Sequence, residues 1–163
     1  MFEPETLTLA QVVLDSCRAR NWKLATAESC TGGLVAGALT AIAGSSDVVE
    51  RGFVTYSNEA KSELLGVPPE TIAEHGAVSA ETAAAMAQGA LARAPVDLAV
   101  SVTGIAGPGG ATLTKPVGLV LFGLAQRDGR CRTERRVFTG DRSAIMLAAV
   151  QRALELLDAE ARG

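Results

Sequence analysis

The sequence is poor in the residues that bind metals or form disulfides. Its 163 residues include one histidine and three cysteines, and Cys17, Cys30 and Cys131 lie far apart along the chain. An odd number of widely spaced cysteines argues against a disulfide framework, and neither they nor His75 have the spacing of a zinc site. We therefore predict no bound metal and a reducing compartment, the cytoplasm.

Positive charge and long apolar segments are also scarce. Lysine and arginine number 15 against 18 acidic residues, which gives a net charge of −3. Proteins that neutralise nucleic-acid phosphates usually carry an extended basic surface, so nucleic acid is not predicted as a partner. The N-terminus has no basic segment before an apolar stretch, and no continuous apolar run approaches the ~20 residues of a membrane span, so neither export nor a membrane partner is expected. We expect one domain, residues 1–163, that binds a small molecule.

The sequence does contain alternating strand and helix patterns. Apolar runs such as "WKLATAE" and "DLAVSVTG" predict strands, and alanine-rich segments between them predict helices. The pair Asp128-Gly129 is a hairpin signal, so the strands on either side of it should be antiparallel. Together these patterns predict a three-layer α/β/α sandwich with a mixed, mostly parallel sheet of about five strands. The predicted helix N-caps are Thr6 or Thr8, Asn58, Ser79, and Asp141 or Ser143.

The segment "ESCTGG" lies where the first predicted strand gives way to a helix. A serine hydroxyl there is close to unpaired N–H groups, which stabilise the negative charge of an acyl-transfer intermediate. Ser29 is thus a candidate nucleophile, and Glu28, Cys30, Thr31 and Gly32 are candidates for substrate contact. The alternative is that Ser29 or Thr31 is only a helix N-cap, Cys30 a small buried residue, and Glu28 a capping or solvated acid.

A serine nucleophile also needs a general base. The single His75 lies in a segment typical of a turn before a helix. Lys61, in "VTYSNEAK", can take the serine proton if burial beside a polar group such as Tyr56 lowers its pKa. The alternative interpretations are a solvated helix lysine and a tyrosine that serves packing.

The longest predicted loop, "TGIAGPGGATLTKPVG", follows the buried third strand. Open α/β sheets usually bind ligands at this end of their strands. The glycines expose N–H groups and Lys115 adds a cation, so a phosphate-bearing ligand is favoured, although neither the Walker A nor the dinucleotide pattern is present. A purely structural loop is the alternative. Arg142 in "FTGDRS" is either a surface arginine or a phosphate clamp.

Several of these motifs occur together in an order that resembles one known family. They are "AESCTGGL", "GSS", "VTYSNEAK", "LGV", "GAVSAET", "VTGIAGPGG", "KPVG" and "GDR". The ordered set, from about residue 7 to residue 157, is similar to that of the CinA C-terminal domain family and is far more specific than any single motif. The resemblance implies a mixed sheet between helix layers, of the anticodon-binding-domain type.

Stand-alone members of this family include nicotinamide-nucleotide amidohydrolases, which convert nicotinamide mononucleotide to nicotinic acid mononucleotide and ammonia without a cofactor. By resemblance, Ser29 is the nucleophile, Lys61 its general base and Tyr56 their neighbour, and Thr31 or Gly32 supplies oxyanion donors. The residues expected to bind the ribose phosphate are Thr103, Gly104, Ala106, Gly107, Gly109, Gly110, Lys115 and Arg142.

The sequence departs from the family pattern at two places. Met146 stands where members often carry an arginine, and "GGATLTK" lacks the acidic residues often found before "KPVG". The N-terminal domain of longer members, associated with hydrolysis of ADP-ribose-type pyrophosphates, is not recognised here, so that activity is not expected. The family resemblance and the alanine-rich helices favour a homodimer or larger homo-oligomer.

Two other functions fit the same motifs. One is a nucleotide-binding or regulatory module, linked to competence or DNA damage, that keeps the pocket without catalysis. The other is a serine-lysine hydrolase of a different acyl substrate. Ammonia release from the mononucleotide separates the first from an amidohydrolase, and activity on phosphate-free amides or esters identifies the second.

Overall fold

All five strands belong to a single mixed sheet. The computed structural model describes residues 1–163, with strands β1 (Leu24–Glu28), β2 (Val49–Val54), β3 (Leu98–Gly104), β4 (Leu119–Gln126) and β5 (Cys131–Val137). They lie in the order β2-β1-β3-β4-β5. β1 is parallel to β2 and β3, whereas β4 is antiparallel to both of its neighbours, so four of the five strands run in one direction. The predicted mixed, mostly parallel sheet is confirmed.

Helices cover both faces of this sheet. They are α1 (Pro4–Ala19), α2 (Leu34–Thr40), α3 (Asn58–Leu65), α4 (Pro69–His75), α5 (Ala80–Arg93) and α6 (Arg142–Arg162), with a short 3₁₀ helix at Ser45–Asp47. α1, α2 and α6 share the main apolar core on one face, while α5 packs on the other face and contacts α3 and α4. The three-layer prediction is therefore confirmed. None of the six helices combines the length and apolar character that a membrane crossing requires.

Side-chain size differs between the two faces and fixes how closely the helices approach. Leu24 of β1 belongs to the main core under α1, α2 and α6, whereas the next residue, Ala25, faces the α5 side. Small residues on the α5 side permit close packing. At Gly89 of α5, a Cβ atom would lie 1.9 Å from the carbonyl oxygen of Leu65, so only glycine allows α3 to end against α5. This contact fixes the helix that carries Lys61.

Helix ends follow the sequence signals in part. Ser79 caps α5 and Asp141 caps α6, as predicted. The predicted N-cap of α1, Thr6 or Thr8, is wrong, because the helix begins at Pro4 and both threonines lie inside it. Asn58 was also predicted as a cap, but the side chain of Ser57 accepts the capping bond and Asn58 is the first residue of α3.

Helix α4 was not predicted at all. Its seven residues include none that is buried, so it leaves no apolar periodicity in the sequence. His75, expected in a turn, is the last residue of this helix and is followed by Gly76 at a φ of +82°. His75 does not line the cleft described below.

Candidate active site

A polar cleft lies at the carboxyl ends of the parallel strands. Five segments form it: the turn after β1, the segment after β2 with the start of α3, the link between α4 and α5, the end of β3 with the loop after it, and the first residue of α6. Its volume is about 270 Å³, close to the lower end of the ~300–1,000 Å³ usual for small-molecule sites. Two basic side chains, Lys61 and Arg142, line the cleft, and no acidic residue does. The site therefore suits an anionic ligand.

Ser29 and Lys61 meet at the bottom of this cleft. Ser29 follows β1 directly, and its N–H donates to the carbonyl of Val102 in β3. Lys61 lies one turn into α3, and its Nζ donates to Ser29 Oγ at 3.0 Å. Both side chains are buried, with Lys61 1% and Ser29 8% exposed. A hydroxyl within hydrogen-bond reach of a buried amine is the arrangement that a serine nucleophile and its base require.

The surroundings of Lys61 favour its neutral form. Its Nζ has two further close partners, the carbonyl oxygens of Thr55 at 2.9 Å and Tyr56 at 3.2 Å. Burial lowers the pKa of Lys61 from its ordinary value, and the charges of Cys30 and Glu59 oppose this shift more weakly. A neutral amine has two N–H groups for the two carbonyls and one lone pair for the serine proton. The geometry and the direction of the pKa shift thus agree.

Cys30 lines the cleft next to the nucleophile but is not suited to replace it. The thiol is 7% exposed, and burial raises its pKa to about 12. Only the thiolate is a strong nucleophile, so a thiol with this pKa is unreactive at neutral pH. Cys30 therefore contributes a cleft wall and, through its backbone, a hydrogen-bond donor.

The turn after β1 leaves two backbone donors free beside Ser29. The N–H of Gly32 is occupied, because it donates to the carbonyl of Ser29 at 3.0 Å. The N–H groups of Cys30 and Thr31 make no hydrogen bond within the protein. Of the two donors suggested by sequence, the structure therefore leaves only that of Thr31 available and adds that of Cys30. The residue after a nucleophile supplies such a donor in other hydrolases with a strand-turn-helix nucleophile.

The loop after β3 presents a second set of free donors. The N–H groups of Ala106, Gly107, Gly109 and Gly110 make no hydrogen bond within the protein, and Ala106 and Gly107 are buried. All four residues line the cleft, as do the predicted Thr103 and Gly104. Successive free N–H groups form a concave anion-binding surface.

Arg142 joins two walls of the cleft. It is the first residue of α6, and its guanidinium donates to the carbonyl of Gly107 at 2.7 Å and to the hydroxyl of Tyr56 at 3.1 Å. Tyr56 lines the cleft and is 63% exposed, and its carbonyl accepts a hydrogen bond from Lys61 Nζ. The tyrosine predicted beside the catalytic pair is present, but its hydroxyl contacts Arg142 and makes no hydrogen bond to Ser29 or Lys61.

Four residues predicted to contact the substrate do not line the cleft: Glu28, Thr31, Gly32 and Lys115. Glu28 is fully buried, and Thr31 donates its hydroxyl to the Glu28 carboxylate at 2.7 Å. Lys115 turns away from the glycine-rich loop, and its Nζ donates to the carbonyl of His75 at 2.6 Å. A cation at the last carbonyls of α4 is favourable, which explains why this side chain is not free for a phosphate.

Three residues that sequence reasoning did not identify do line the cleft: Asn58, Ala77 and Val78, while Ile105 lines it within the loop 104–110 that was predicted to bind the ligand. Ala77 is drawn to the site because the hydroxyl of Thr103 donates to its carbonyl at 2.9 Å. Ala77 and Val78 belong to the motif "GAVSAET", whose place among the family-like motifs was the one available signal. No cluster of three or more His, Cys, Asp or Glu side chains could hold a metal ion.

Comparison with known proteins gives a consistent family. The profile described as CinA C-terminal domain matches residues 6–161. A protein of Escherichia coli named nicotinamide-nucleotide amidohydrolase PncC is 50% identical over 157 residues, which cover 96% of this chain and 95% of that protein. A putative competence-damage inducible protein of Caldicellulosiruptor bescii is 52% identical over 149 residues, covering 91% of this chain. The chain spans only 36% of the length of that longer relative.

Solved structures show the same fold. The crystal structure of the competence/damage inducible protein CihA from Agrobacterium tumefaciens matches with a TM-score of 0.94 and 50% identity, covering 98% of this chain and 97% of that one. The competence damage-inducible protein A from Klebsiella pneumoniae matches with a TM-score of 0.92 and 42% identity, covering 95% of this chain and 96% of that one. The sheet order and helix layers are thus those of known family members.

Proposed function

This chain belongs to the CinA C-terminal domain family, and from that premise we propose that it is an amidohydrolase that converts nicotinamide mononucleotide to nicotinic acid mononucleotide and ammonia. One observation carries the proposal. Lys61 Nζ lies 3.0 Å from Ser29 Oγ in a cleft that Arg142 also lines and that no Asp or Glu side chain lines. A module that only binds a nucleotide has no need of a buried amine in contact with a serine hydroxyl.

In the first half of the reaction, Ser29 Oγ attacks the carboxamide carbon while neutral Lys61 takes the hydroxyl proton. The carbonyl oxygen becomes an oxyanion, which the free N–H of Cys30 at the cleft wall stabilises. When the tetrahedral intermediate collapses, the carbon-nitrogen bond breaks and Lys61 returns its proton to the departing nitrogen. Ammonia leaves, and an ester joins the pyridine carbonyl to Ser29.

In the second half, Lys61 deprotonates a water molecule that attacks this ester. The second tetrahedral intermediate collapses with Ser29 as the leaving group, and Lys61 protonates its oxygen. The product is the carboxylic acid of nicotinic acid mononucleotide, which releases its proton to solvent and leaves as the carboxylate. Each half-reaction returns Lys61 to its neutral form, so the same buried amine serves both.

Substrate binding follows from the free donors on the opposite wall. The N–H groups of Ala106, Gly107, Gly109 and Gly110 and the guanidinium of Arg142 face a ligand that carries negative charge. A phosphate there accepts several charge-assisted hydrogen bonds, and its binding energy holds the carboxamide at Ser29. The mononucleotide should therefore react much faster than its nucleoside.

The test is ammonia release from nicotinamide mononucleotide by the purified protein, with Ser29→Ala as the matched variant and nicotinamide riboside as the phosphate-free substrate. Activity that is lost in Ser29→Ala and weak on the riboside supports the proposal. Saturable binding of the mononucleotide without ammonia release would instead establish a binding module. Equal rates on the mononucleotide and the riboside would indicate a hydrolase without a phosphate site.

We also propose that the enzyme is a cytoplasmic homodimer or larger homo-oligomer. β2 is an edge strand with one unpaired side, and Val54 at its end is 49% exposed. Unpaired edges with exposed apolar side chains favour self-association. The three cysteines are free, as in a reducing compartment. Size-exclusion chromatography with light scattering tests the assembly, and a monomer across the accessible concentrations would contradict it.

A further inference from the structure

The residue before the nucleophile carries a buried carboxylate that no step of the reaction uses. Glu28 is the last residue of β1, and its side chain is fully buried. An unneutralised buried carboxylate is costly unless hydrogen bonds satisfy its oxygen atoms. Glu28 has no cationic partner among the salt bridges of the chain, so its hydrogen bonds must hold it.

Each oxygen of this carboxylate accepts one backbone and one hydroxyl donor. Oε1 accepts from the hydroxyl of Thr31 at 2.7 Å and from the N–H of Val35 at 2.9 Å. Oε2 accepts from the N–H of Ala36 at 3.0 Å and from the hydroxyl of Thr26 at 3.2 Å. The side chain therefore ties β1, the turn after it and the first turn of α2 together.

Helix α2 depends on this carboxylate for its N-terminal cap. The residue in the N-cap position is Gly33, which has no side chain, and no local cap hydrogen bond is formed. The first N–H groups of a helix need acceptors, and a negative charge there is favourable. Glu28 supplies both from the preceding strand, so the turn of residues 29–33 is held at its start and at its end.

We propose, resting on the function proposed above, that Glu28 is a positioning residue that fixes the nucleophile turn. With Thr31 bound to the carboxylate and Val35 and Ala36 anchored behind it, the turn keeps Ser29 Oγ against Lys61 and leaves the N–H of Cys30 free for the oxyanion. Glu28 acts through the turn and touches no substrate, because it is buried on the α2 side and lies outside the cleft lining.

The backbone of Glu28 places the base by a second connection. Its carbonyl accepts the N–H of Thr55 at 2.8 Å, and the carbonyl of Thr55 in turn accepts from Lys61 Nζ. The residue thus lies between the segment that holds the base and the turn that holds the nucleophile. A small rotation of the turn changes the Ser29 to Lys61 geometry while leaving the opposite, ligand-binding wall in place.

The test is the isosteric variant Glu28→Gln, with Glu63→Gln as the matched control. A carboxamide offers one acceptor oxygen instead of two, so either Val35 or Ala36 loses its acceptor. Glu63 lies on the exposed side of α3, outside the cleft lining. We expect the kcat of Glu28→Gln to fall about 10- to 100-fold, because a small misplacement of the reacting groups lowers the rate by this order. KM and the acid limb of the pH profile should stay unchanged. Glu63→Gln should behave as wild type.

Hydrogen exchange separates failure of this inference from failure of the proposed function. Exchange at the Val35 or the Ala36 amide, whichever loses its acceptor, should accelerate in Glu28→Gln whatever the substrate is, and NMR follows both amides. If wild type releases no ammonia, the proposed function fails. In that case accelerated exchange in Glu28→Gln still supports the positioning role of Glu28, whereas unchanged exchange overturns that role as well. If wild type is active, a wild-type kcat in a folded Glu28→Gln, or a rise in KM alone, overturns the inference.

Discussion

Lys61 Nζ lies 3.0 Å from Ser29 Oγ, and its two nearest other partners are backbone carbonyl oxygens. A carboxylate partner would stabilise the ammonium form and raise the pKa of the amine, whereas neutral carbonyls in a buried site do so far less. Burial is therefore the dominant influence on this lysine and lowers its pKa. The same contact that orients the amine toward the serine thus leaves it able to accept a proton.

Replacing Lys61 should remove activity without destabilising the fold. We expect Lys61→Met to lower kcat by about 10²- to 10⁴-fold, the usual contribution of a general base. Because methionine fills similar space without a buried amine to desolvate, the free energy of unfolding should be unchanged or higher. Ammonia release and denaturant unfolding measure the two effects. Lys23→Met, at an exposed lysine, is the control, and a Lys61→Met enzyme with near wild-type kcat would exclude the base role.

Activity should rise with pH through the pKa of Lys61. In the proposed mechanism the neutral amine is the active form, and burial holds its pKa below the ordinary value of 10.5. The acid limb of kcat/KM therefore reports this depressed pKa, and activity is lost as pH falls through it. A pH profile of kcat/KM for the mononucleotide is the measurement. A limb at the ordinary lysine pKa would contradict the structure.

The same shift makes stability depend on pH. The unfolded chain binds a proton at Lys61 up to a higher pH than the folded chain does, so the free energy of unfolding rises with pH between the folded and unfolded pKa values. The contribution is complete above 10.5 and is lost as pH falls through the lowered folded pKa. Unfolding free energies of wild type and Lys61→Met across this range should differ in slope. Parallel curves would show that Lys61 is not desolvated.

Cys30 should be inert although it lies beside the nucleophile. Burial raises its pKa to about 12, so almost no thiolate is present near neutral pH. We expect iodoacetamide at about pH 8 to leave Cys30 unmodified and the activity intact, while the half-buried Cys131 reacts faster. Peptide mapping by mass spectrometry measures both sites, and the unfolded protein provides the fully reactive control. Rapid modification of Cys30 with loss of activity would contradict this assignment.

Much of the fold could be predicted because local patterns and packing agree. The buried run of β3, the hairpin at Asp128-Gly129 and the caps Ser79 and Asp141 all appear in the structure. The failures are elements that bury little or start without a side-chain cap. α4 has no buried residue, and α1 begins at Pro4 with no cap hydrogen bond. α4 thus lacks the apolar periodicity, and the start of α1 the side-chain cap, on which sequence prediction depends.

The site shows a sharper limit. Motifs identified Ser29 and Lys61, but only the pairing of strands and the packing of α3 bring residues 32 positions apart into contact. The direction of Glu28 was open to prediction, because alternation along β1 places it on the same face as Leu24, toward α2. The direction of the Lys115 side chain could not be predicted, because an irregular loop has no periodicity from which to infer where a side chain points.

The last prediction compares Arg142 with Lys115. The sequence predicts phosphate binding for both residues, whereas the structure places only one of them in the cleft. Arg142 lines the cleft, whereas Lys115 binds the carbonyl of His75 outside it. Arg142→Ala should raise KM for nicotinamide mononucleotide by about tenfold or more, the worth of a charge-assisted contact, and change the slow reaction of nicotinamide riboside much less.

Lys115→Met should affect the two substrates equally, because the lost bond supports the loop and not the phosphate. For each variant, the change in kcat/KM on the mononucleotide is divided by the change on the riboside. This ratio measures the coupling of the residue to the phosphate. Coupling confined to Arg142 places the phosphate beside the start of α6. Coupling at Lys115 would instead require its side chain to leave the carbonyl of His75 when substrate binds, so the resting contact at 2.6 Å would be one that substrate breaks.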